Sequence, residues 1–296
     1  KESWIIDRIR DDWYINKKNI STKYIKQSDI VWILSPWVWN KIPKKNLESK
    51  KVLCSYYHFD FKKFDEKDFY KLDQYVDEYH VISGNTYKQL ENLTNKKITS
   101  IPFWVNQNIF KTLNFKDKIR KKYGFDTDDF LVGTFQRDTE SHDLKSPKLI
   151  KGPDIFIELA RKIMVKNDKL KVVLTGKNRQ YIISELEKYN IPFKYFEMVN
   201  LNQLNELYNI LDLYLVTSRL EGGPQAILEA AITKTPIMST DVGVAKEILH
   251  KKSIFTEETF ENAIADTDYA YKMTHNFTIP KGLDKFENMF IKLYES

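Results

Sequence analysis

Two carboxylates, Glu221 and Glu229, frame the stretch of this chain with the most evident chemistry. Between them lie Gly222, Gly223, Pro224 and Gln225. Consecutive glycines let a ligand approach the backbone closely, and the N–H groups that open a helix attract anions. Such a stretch suits phosphate or an array of sugar hydroxyls. Gln225 and Glu229 are four apart, so on a helix they share a face. Glu221 and Glu229 would then address the two ends of one bound molecule. Upstream stand two cations. Arg137 carries a planar fork that matches phosphate oxygens, and Lys151 is a compact point charge. Beside a helix N-terminus the pair would neutralise a diphosphate without a metal. The bland alternative is a surface turn with solvated charges, and among 47 Lys and Arg residues a single lysine means little.

The elements that must position these groups are legible. The run Asp212–Ser218 is apolar and β-prone, and Gln225–Thr233 reads as a helix with Pro224 at its first position. Pro236–Thr240 then completes a βαβ unit, whose two strands should be parallel. Glu221 falls at the carboxyl end of a strand, the edge where open α/β sheets bind ligands. Residues 124–250 repeat this alternation. Strands are expected at Phe130–Phe135, Lys171–Thr175, Phe193–Val199, Leu213–Thr217 and Pro236–Thr240. Helices fall at Pro153–Val165, Tyr181–Tyr189, Leu201–Leu211 and Pro224–Thr233. The pattern is a doubly wound sheet. Two further helices, Phe260–Met273 and Asp284–Tyr294, close the chain. Arg137 ends the first of these strands, and Lys151 precedes Pro153 at the start of the first helix. The long loop between them holds Asp138, Glu140, His142 and Asp143, whose spacing matches no metal-ligand signature. No metal site is expected.

Residues 1–106 read as a smaller α/β domain, beginning with a helix around Trp4, Ile5 and Ile9. Strands are expected at Ile30–Leu34, Lys51–Tyr56, Glu78–Ser83 and Lys97–Ile101, with helices at Phe64–Tyr75 and from Ser83 to Leu93. No glycine-rich phosphate loop follows any of these strands. Loops at their carboxyl ends carry Trp37, Trp39, His58 and Asp60. His58 and Asp60 could serve an acceptor hydroxyl, and either tryptophan could stack on a sugar; core packing is the alternative for each. All six Trp lie within the first 104 residues, and eight of nine Gly lie from Gly124 onward.

Composition narrows the function classes. The chain has 296 residues, a net charge of +6 and a single cysteine, Cys54. That excludes a disulfide framework and a cysteine-based zinc site within one chain, and suggests a reducing compartment. The positive charge is too small for a nucleic-acid binder. It suits anionic substrates or peripheral contact with an anionic membrane face. No apolar run is long enough to span a membrane. A nicotinamide dehydrogenase is disfavoured by the absence of G-x-G-x-x-G.

Four motifs in order carry a resemblance: Ser218-Arg-Leu-Glu-Gly-Gly-Pro-Gln-Ala-Ile-Leu-Glu229; Ile101-Pro-Phe-Trp-Val-Asn-Gln-Asn-Ile-Phe110; Phe135-Gln-Arg137 with Lys151-Gly152; and Ser239-Thr-Asp-Val-Gly-Val244. Together they resemble the GT-B fold retaining glycosyltransferases of family 4, well over residues 100–296 and loosely before that. The resemblance implies two Rossmann-like doubly wound domains facing a cleft, with the N-terminal domain reduced. Residues 1–108 would form the acceptor side and 109–281 the nucleotide-sugar domain, with a helix at about 282–296 packing back on the first. It implies that Arg137 and Lys151 hold the diphosphate, that Glu221 contacts the donor sugar and that Glu229 takes the ribose hydroxyls. The backbone of Gly222, Gly223, Pro224 and Gln225 would meet sugar and phosphate. Thr175, Gly176, Met198 and Val199 would wall the base, and His58 would lie near the donor sugar. Arg137 and Lys151 stand farther apart than the family pattern has them, which leaves Lys145 and Lys148 as alternatives. The implied activity is metal-independent transfer from a nucleoside-diphosphate sugar, UDP- or GDP-linked, to a glycan, lipid-linked or small-molecule acceptor. No cofactor or nucleic acid is implied, and the expected location is cytoplasmic, peripheral to the inner membrane face. A degenerate binding protein and a nucleotide-sugar epimerase on the same fold remain alternatives.

Overall fold

The computed structural model of the protein describes residues 5–296. Trp4 lies outside the described residues. The chain divides into two compact units, one running to Asn106 and resuming at Asn276–Ser296, the other spanning Gln107–His275.

The first unit begins with α1 (Ile5–Asn16), β1 (Ile30–Ile33), α2 (Lys44–Glu48) and β2 (Lys51–Tyr56). It continues with α3 (Glu66–Asp73), β3 (Glu78–Val81), α4 (Gly84–Leu90) and β4 (Lys97–Ser100). The four strands are parallel and lie in sequence order. Right-handed crossovers that advance in one direction put every connecting helix on one face. Leu47, Phe69, Leu72 and Leu90 accordingly pack with Val31, Ile33, Val52, Cys54, Tyr79 and Val81. Ser83 starts α4 by accepting the Thr86 N–H at 3.2 Å, the capping that its sequence position suggests.

The second unit contains α5 (Lys116–Lys122), β5 (Phe130–Thr134), α6 (Pro153–Lys166), β6 (Leu170–Thr175), α7 (Gln180–Lys188) and β7 (Phe193–Phe196). Then follow α8 (Leu201–Ile210), β8 (Leu213–Val216), α9 (Gln225–Ile232), β9 (Ile237–Ser239), α10 (Ala245–Ile248) and α11 (Thr267–Thr274). Its sheet is wholly parallel, in the order β7-β6-β5-β8-β9. The chain steps outward from β5 to β7, then returns to lay β8 on the other side of β5. That reversal leaves a crevice at the carboxyl ends of β5 and β8, where the outgoing loops diverge.

One expected helix is broken. Phe260–Met273 divides into a turn at Phe260–Asn262 and α11. Ser253 Oγ donates to the Ile264 carbonyl and accepts the Asp266 N–H, both at 2.8 Å. Asp266 then caps α11 by accepting from Tyr269 N. These tertiary bonds outweigh the apolar periodicity that suggested a continuous helix.

The last helix, α12 (Lys281–Glu295), belongs to the first unit. With α1 it covers the second face of the first sheet, where Leu53 and Ile82 meet Ile9, Trp13, Phe286 and Leu293. Phe286 is fully buried and its ring stacks on Phe103 with centroids 5.5 Å apart. Burying such a side chain is worth roughly 1.5–3 kcal/mol. The chain rejoins this unit at Asn276, ahead of the 282 expected. Phe277 already accepts the Val105 N–H at 2.9 Å, and Ile279 is part of the same core.

Candidate active site

The crevice of the second sheet gathers several residues that the sequence singles out. Gly152 ends a short turn at Leu149–Lys151 and precedes Pro153, the first residue of α6. Its φ is +60°, and a Cβ there would lie 1.8 Å from the Thr217 carbonyl oxygen. Only glycine permits this approach. Thr217 Oγ1 donates to the Gly152 carbonyl at 2.8 Å, and the Ile150 carbonyl accepts the N–H groups of Arg219 and Leu220. The loop before α6 is thus fastened to the loop after β8, which brings Lys151 to Glu221.

Lys151 Nζ forms an ion pair with Glu221 Oε1. Their side chains retain 19% and 14% of their exposure. Gln136, just past β5, locks the surroundings. Its Nε2 donates to the Lys151 carbonyl at 2.9 Å, and its Oε1 accepts from Ser218 Oγ at 3.0 Å. Arg137 follows, half-buried. Arg219 grips Asp154 through both terminal nitrogens, at 2.7 and 2.6 Å. Of the three candidate lysines, Lys151 alone stands at Glu221. Lys148 pairs with Glu140 at 3.3 Å, and Lys145 is exposed.

The Gly222–Gln225 loop is held from the other side by the turn after β9. Gly243 has φ +51°, and a Cβ there would lie 2.7 Å from Pro224 Cδ and 2.8 Å from the Gly222 carbonyl oxygen. Pro224 was expected at the first helical position. It occupies the cap position instead, with an extended ψ of 108°, and α9 starts at Gln225. Glu229 is buried within α9, 3% exposed, where it accepts a hydrogen bond from Tyr208 Oη at 2.9 Å.

The ends of β5, β6 and β7 form one continuous edge. Thr175 Oγ1 donates to the Phe196 carbonyl at 2.6 Å, and the Gly176 N–H to the Glu197 carbonyl at 2.8 Å. Met198 is 60% exposed and Val199 half-buried, both past the end of β7 rather than in the strand expected to reach them. At this edge lies a pair that sequence reasoning missed. Arg179 is wholly buried and its Nε bonds Asp138, while its Nη1 donates to the carbonyls of Thr134 and Thr175. Asp138 also accepts from Thr139 Oγ1 at 2.7 Å and from the Ile182 N–H at 3.3 Å, near the start of α7. The only available signal was the length of the loop containing Asp138. Asp138 turns to Arg179, Glu140 to Lys148, and His142 lies beside Asp143 at 3.5 Å. Among the described residues no group of three or more His, Cys, Asp or Glu is placed to hold a metal.

His58 lies in the first unit, half-buried in the loop after β2. The tryptophans divide. Trp39 is core, 7% exposed, and its indole N–H bonds Asp68 at 3.0 Å. Trp13, Trp32 and Trp104 pack with α1 and α12. Trp37 is 64% exposed, its ring tilted against Tyr57. Among the described residues no helix is long and apolar enough to cross a membrane.

Comparison with known proteins adds a family and a fold. The family model described as Glycosyl transferases group 1 matches residues 115–272, more than half of the chain. A search among curated proteins found no match. Sucrose-phosphate synthase from Thermosynechococcus elongatus superposes with a TM-score of 0.71 at 14% identity, covering 98% of this chain and 78% of that one. HepE from Anabaena, solved with UDP-glucose, gives 0.68 at 14% identity, covering 89% and 79%. TarM from S. aureus, solved with fondaparinux, α-GlcNAc-glycerol and UDP, gives 0.66 at 16% identity, covering 98% of this chain and 59% of TarM. At such identities the likeness speaks for the fold alone.

Proposed function

The chain belongs to the glycosyl transferases group 1 family and has the GT-B fold, and we propose that it is a retaining, metal-independent enzyme of family 4. It moves a sugar from a nucleoside-diphosphate sugar to a hydroxyl of a glycan, a lipid-linked saccharide or a small molecule. Uracil is the first donor base to test, because HepE was solved with UDP-glucose and TarM with UDP. The observation that carries the reading is the Lys151–Glu221 ion pair, set at the strand-order reversal of the second sheet and fastened there by Gln136 and Ser218.

In this reading Arg137 and Lys151 hold the diphosphate. As the bond to the anomeric carbon breaks, charge builds on the departing phosphate, and two fixed cations stabilise it in place of a metal. The ion pair gives donor binding a sequence. With no donor bound, Glu221 neutralises Lys151. When the diphosphate takes Lys151, the carboxylate is released to accept hydrogen bonds from the donor sugar. The backbone at Gly222–Gln225 meets sugar and phosphate, and Glu229 takes the ribose hydroxyls. Thr175, Gly176, Met198 and Val199 wall the base. In the first unit His58 is the candidate to serve an acceptor hydroxyl, and the exposed Trp37 offers a ring face to an acceptor. Attack from the face that the diphosphate leaves, through an oxocarbenium-like transition state, retains configuration. The protein works in the cytoplasm.

The test is turnover with UDP-sugars, read as UDP release. Arg137→Ala and Glu221→Ala should each lose at least ~100-fold, the scale of one electrostatic catalytic group. Chelation by EDTA should leave turnover unchanged. Near-normal transfer by either variant overturns the roles given to these residues.

A further inference from the structure

Glu229 is held by a hydrogen bond from Tyr208, whose ring packs against Phe135, just past the end of β5, and against Tyr214. A carboxylate only accepts and a phenol has one proton, so the proton of Tyr208 is committed to Glu229 at 2.9 Å. The Tyr214 oxygen accepts the Phe135 N–H at 3.1 Å. The three rings also clamp one another, with centroids 5.0 Å apart for Phe135–Tyr208, 5.2 Å for Phe135–Tyr214 and 5.3 Å for Tyr208–Tyr214. Tyr208 is anchored from behind, where its carbonyl accepts from Thr235 Oγ1 at 2.8 Å. Both tyrosines are 1% exposed, so neither is open to a ligand. They act through Glu229 at one end and through Phe135, two residues before Arg137, at the other.

We propose that Tyr208 is a positioning residue for ribose recognition. It aims the Glu229 carboxylate and, through its ring contact with Phe135, ties it to the β5 end that carries Arg137. This sets the preference of the site for ribonucleoside over dideoxyribonucleoside diphosphates. The inference rests on the reading of Glu229 as the ribose-binding group.

The test is calorimetric binding of UDP, GDP and ADP and their 2′,3′-dideoxy forms to the full chain. The variants are Tyr208→Phe, Tyr214→Phe, Glu229→Gln and the Tyr208→Phe/Glu229→Gln double. For whichever ribonucleotide binds, Tyr208→Phe should weaken it about tenfold, the scale of one hydrogen bond to a charged group. The dideoxy form should change by less than about twofold. On the Glu229→Gln background the same substitution should add nothing. If Tyr208→Phe proves unfolded by its melting curve, Tyr214→Phe replaces it, with a ribose-selective loss of about threefold expected. Equal loss of ribo and dideoxy forms overturns the proposal, as does retained ribose preference in the variant tested while Glu229→Gln abolishes it. If Glu229→Gln keeps full ribose preference, or no nucleotide binds, the reading of Glu229 itself falls, and the proposal with it.

Discussion

Removing one member of the Lys151–Glu221 pair separates what the pair does for stability from what it does for chemistry. The three variants are Lys151→Met, Glu221→Gln and the double. A surface ion pair is worth about 0–1 kcal/mol, and breaking a fully buried one costs about 3–5 kcal/mol. With 19% and 14% of their side-chain exposure left, these two lie between those limits. A loss of about 2 kcal/mol per single variant follows, because each strands the opposite charge in a half-desolvated crevice. The double strands neither and should recover most of that stability. For a unit spanning Gln107–His275, 2 kcal/mol corresponds to a fall of about 4–8 °C in its unfolding midpoint. Differential scanning calorimetry on the four proteins measures this, following the transition of the second unit. Turnover should behave otherwise, staying down by at least ~100-fold in all three variants, since the double restores charge balance but neither catalytic group. Shifts in midpoint that simply add in the double would mean that the two side chains do not meet in solution. Recovered turnover in the double would reduce the pair to packing.

Three other outcomes test the scaffold. Gly152→Ala places a methyl group against the Thr217 carbonyl at a positive φ, so it should cost at least about 2 kcal/mol, seen as an earlier urea midpoint. Asp138→Ala leaves the buried Arg179 without its counter-charge and should cost about 3–5 kcal/mol, while Lys145→Ala in the same loop should change stability by less than about 0.5 kcal/mol. Burial lowers the His80 imidazole to about 4, against about 6.5 when unfolded. Between those values the unfolded chain binds the extra proton, so this group's contribution is complete above pH 6.5 and is lost as the pH falls to 4. The loss amounts to roughly 3 kcal/mol. Urea unfolding at pH 7, 5.5 and 4.5 should show that slope, and His80→Gln should flatten it.

The parallel strands and most helices follow from local patterns, because a strand or helix buried on one face must repeat its apolar residues with the period of the backbone. The Ser83 cap, Gly152 before Pro153, and the glycine turn before α9 are local as well. Each answers to a backbone need confined to a few residues. The helix at Phe260–Met273 failed for the opposite reason, since bonds from Ser253 decide where α11 begins. Among the aromatic candidates, Trp37 and Trp39 stand two apart in similar company, yet one is exposed and the other is core. Exposure at that point depends on whether α3 arrives to cover the ring.

For the site, the types and spacing of Arg137, Lys151, Glu221 and Glu229 were enough to suggest a phosphate- and sugar-binding edge. What the sequence alone determined was which residues have the chemistry and which strand ends they follow. Tertiary structure decided which of them meet. It chose Lys151 over Lys145 and Lys148, because the choice depends on how the β5 loop folds back against β8. It buried Asp138 with Arg179, and joined Tyr208 to Glu229 across two helices. Those pairings are made between residues 21 to 70 positions apart. Their distances are set by sheet order and helix packing, and no periodicity along the chain encodes them.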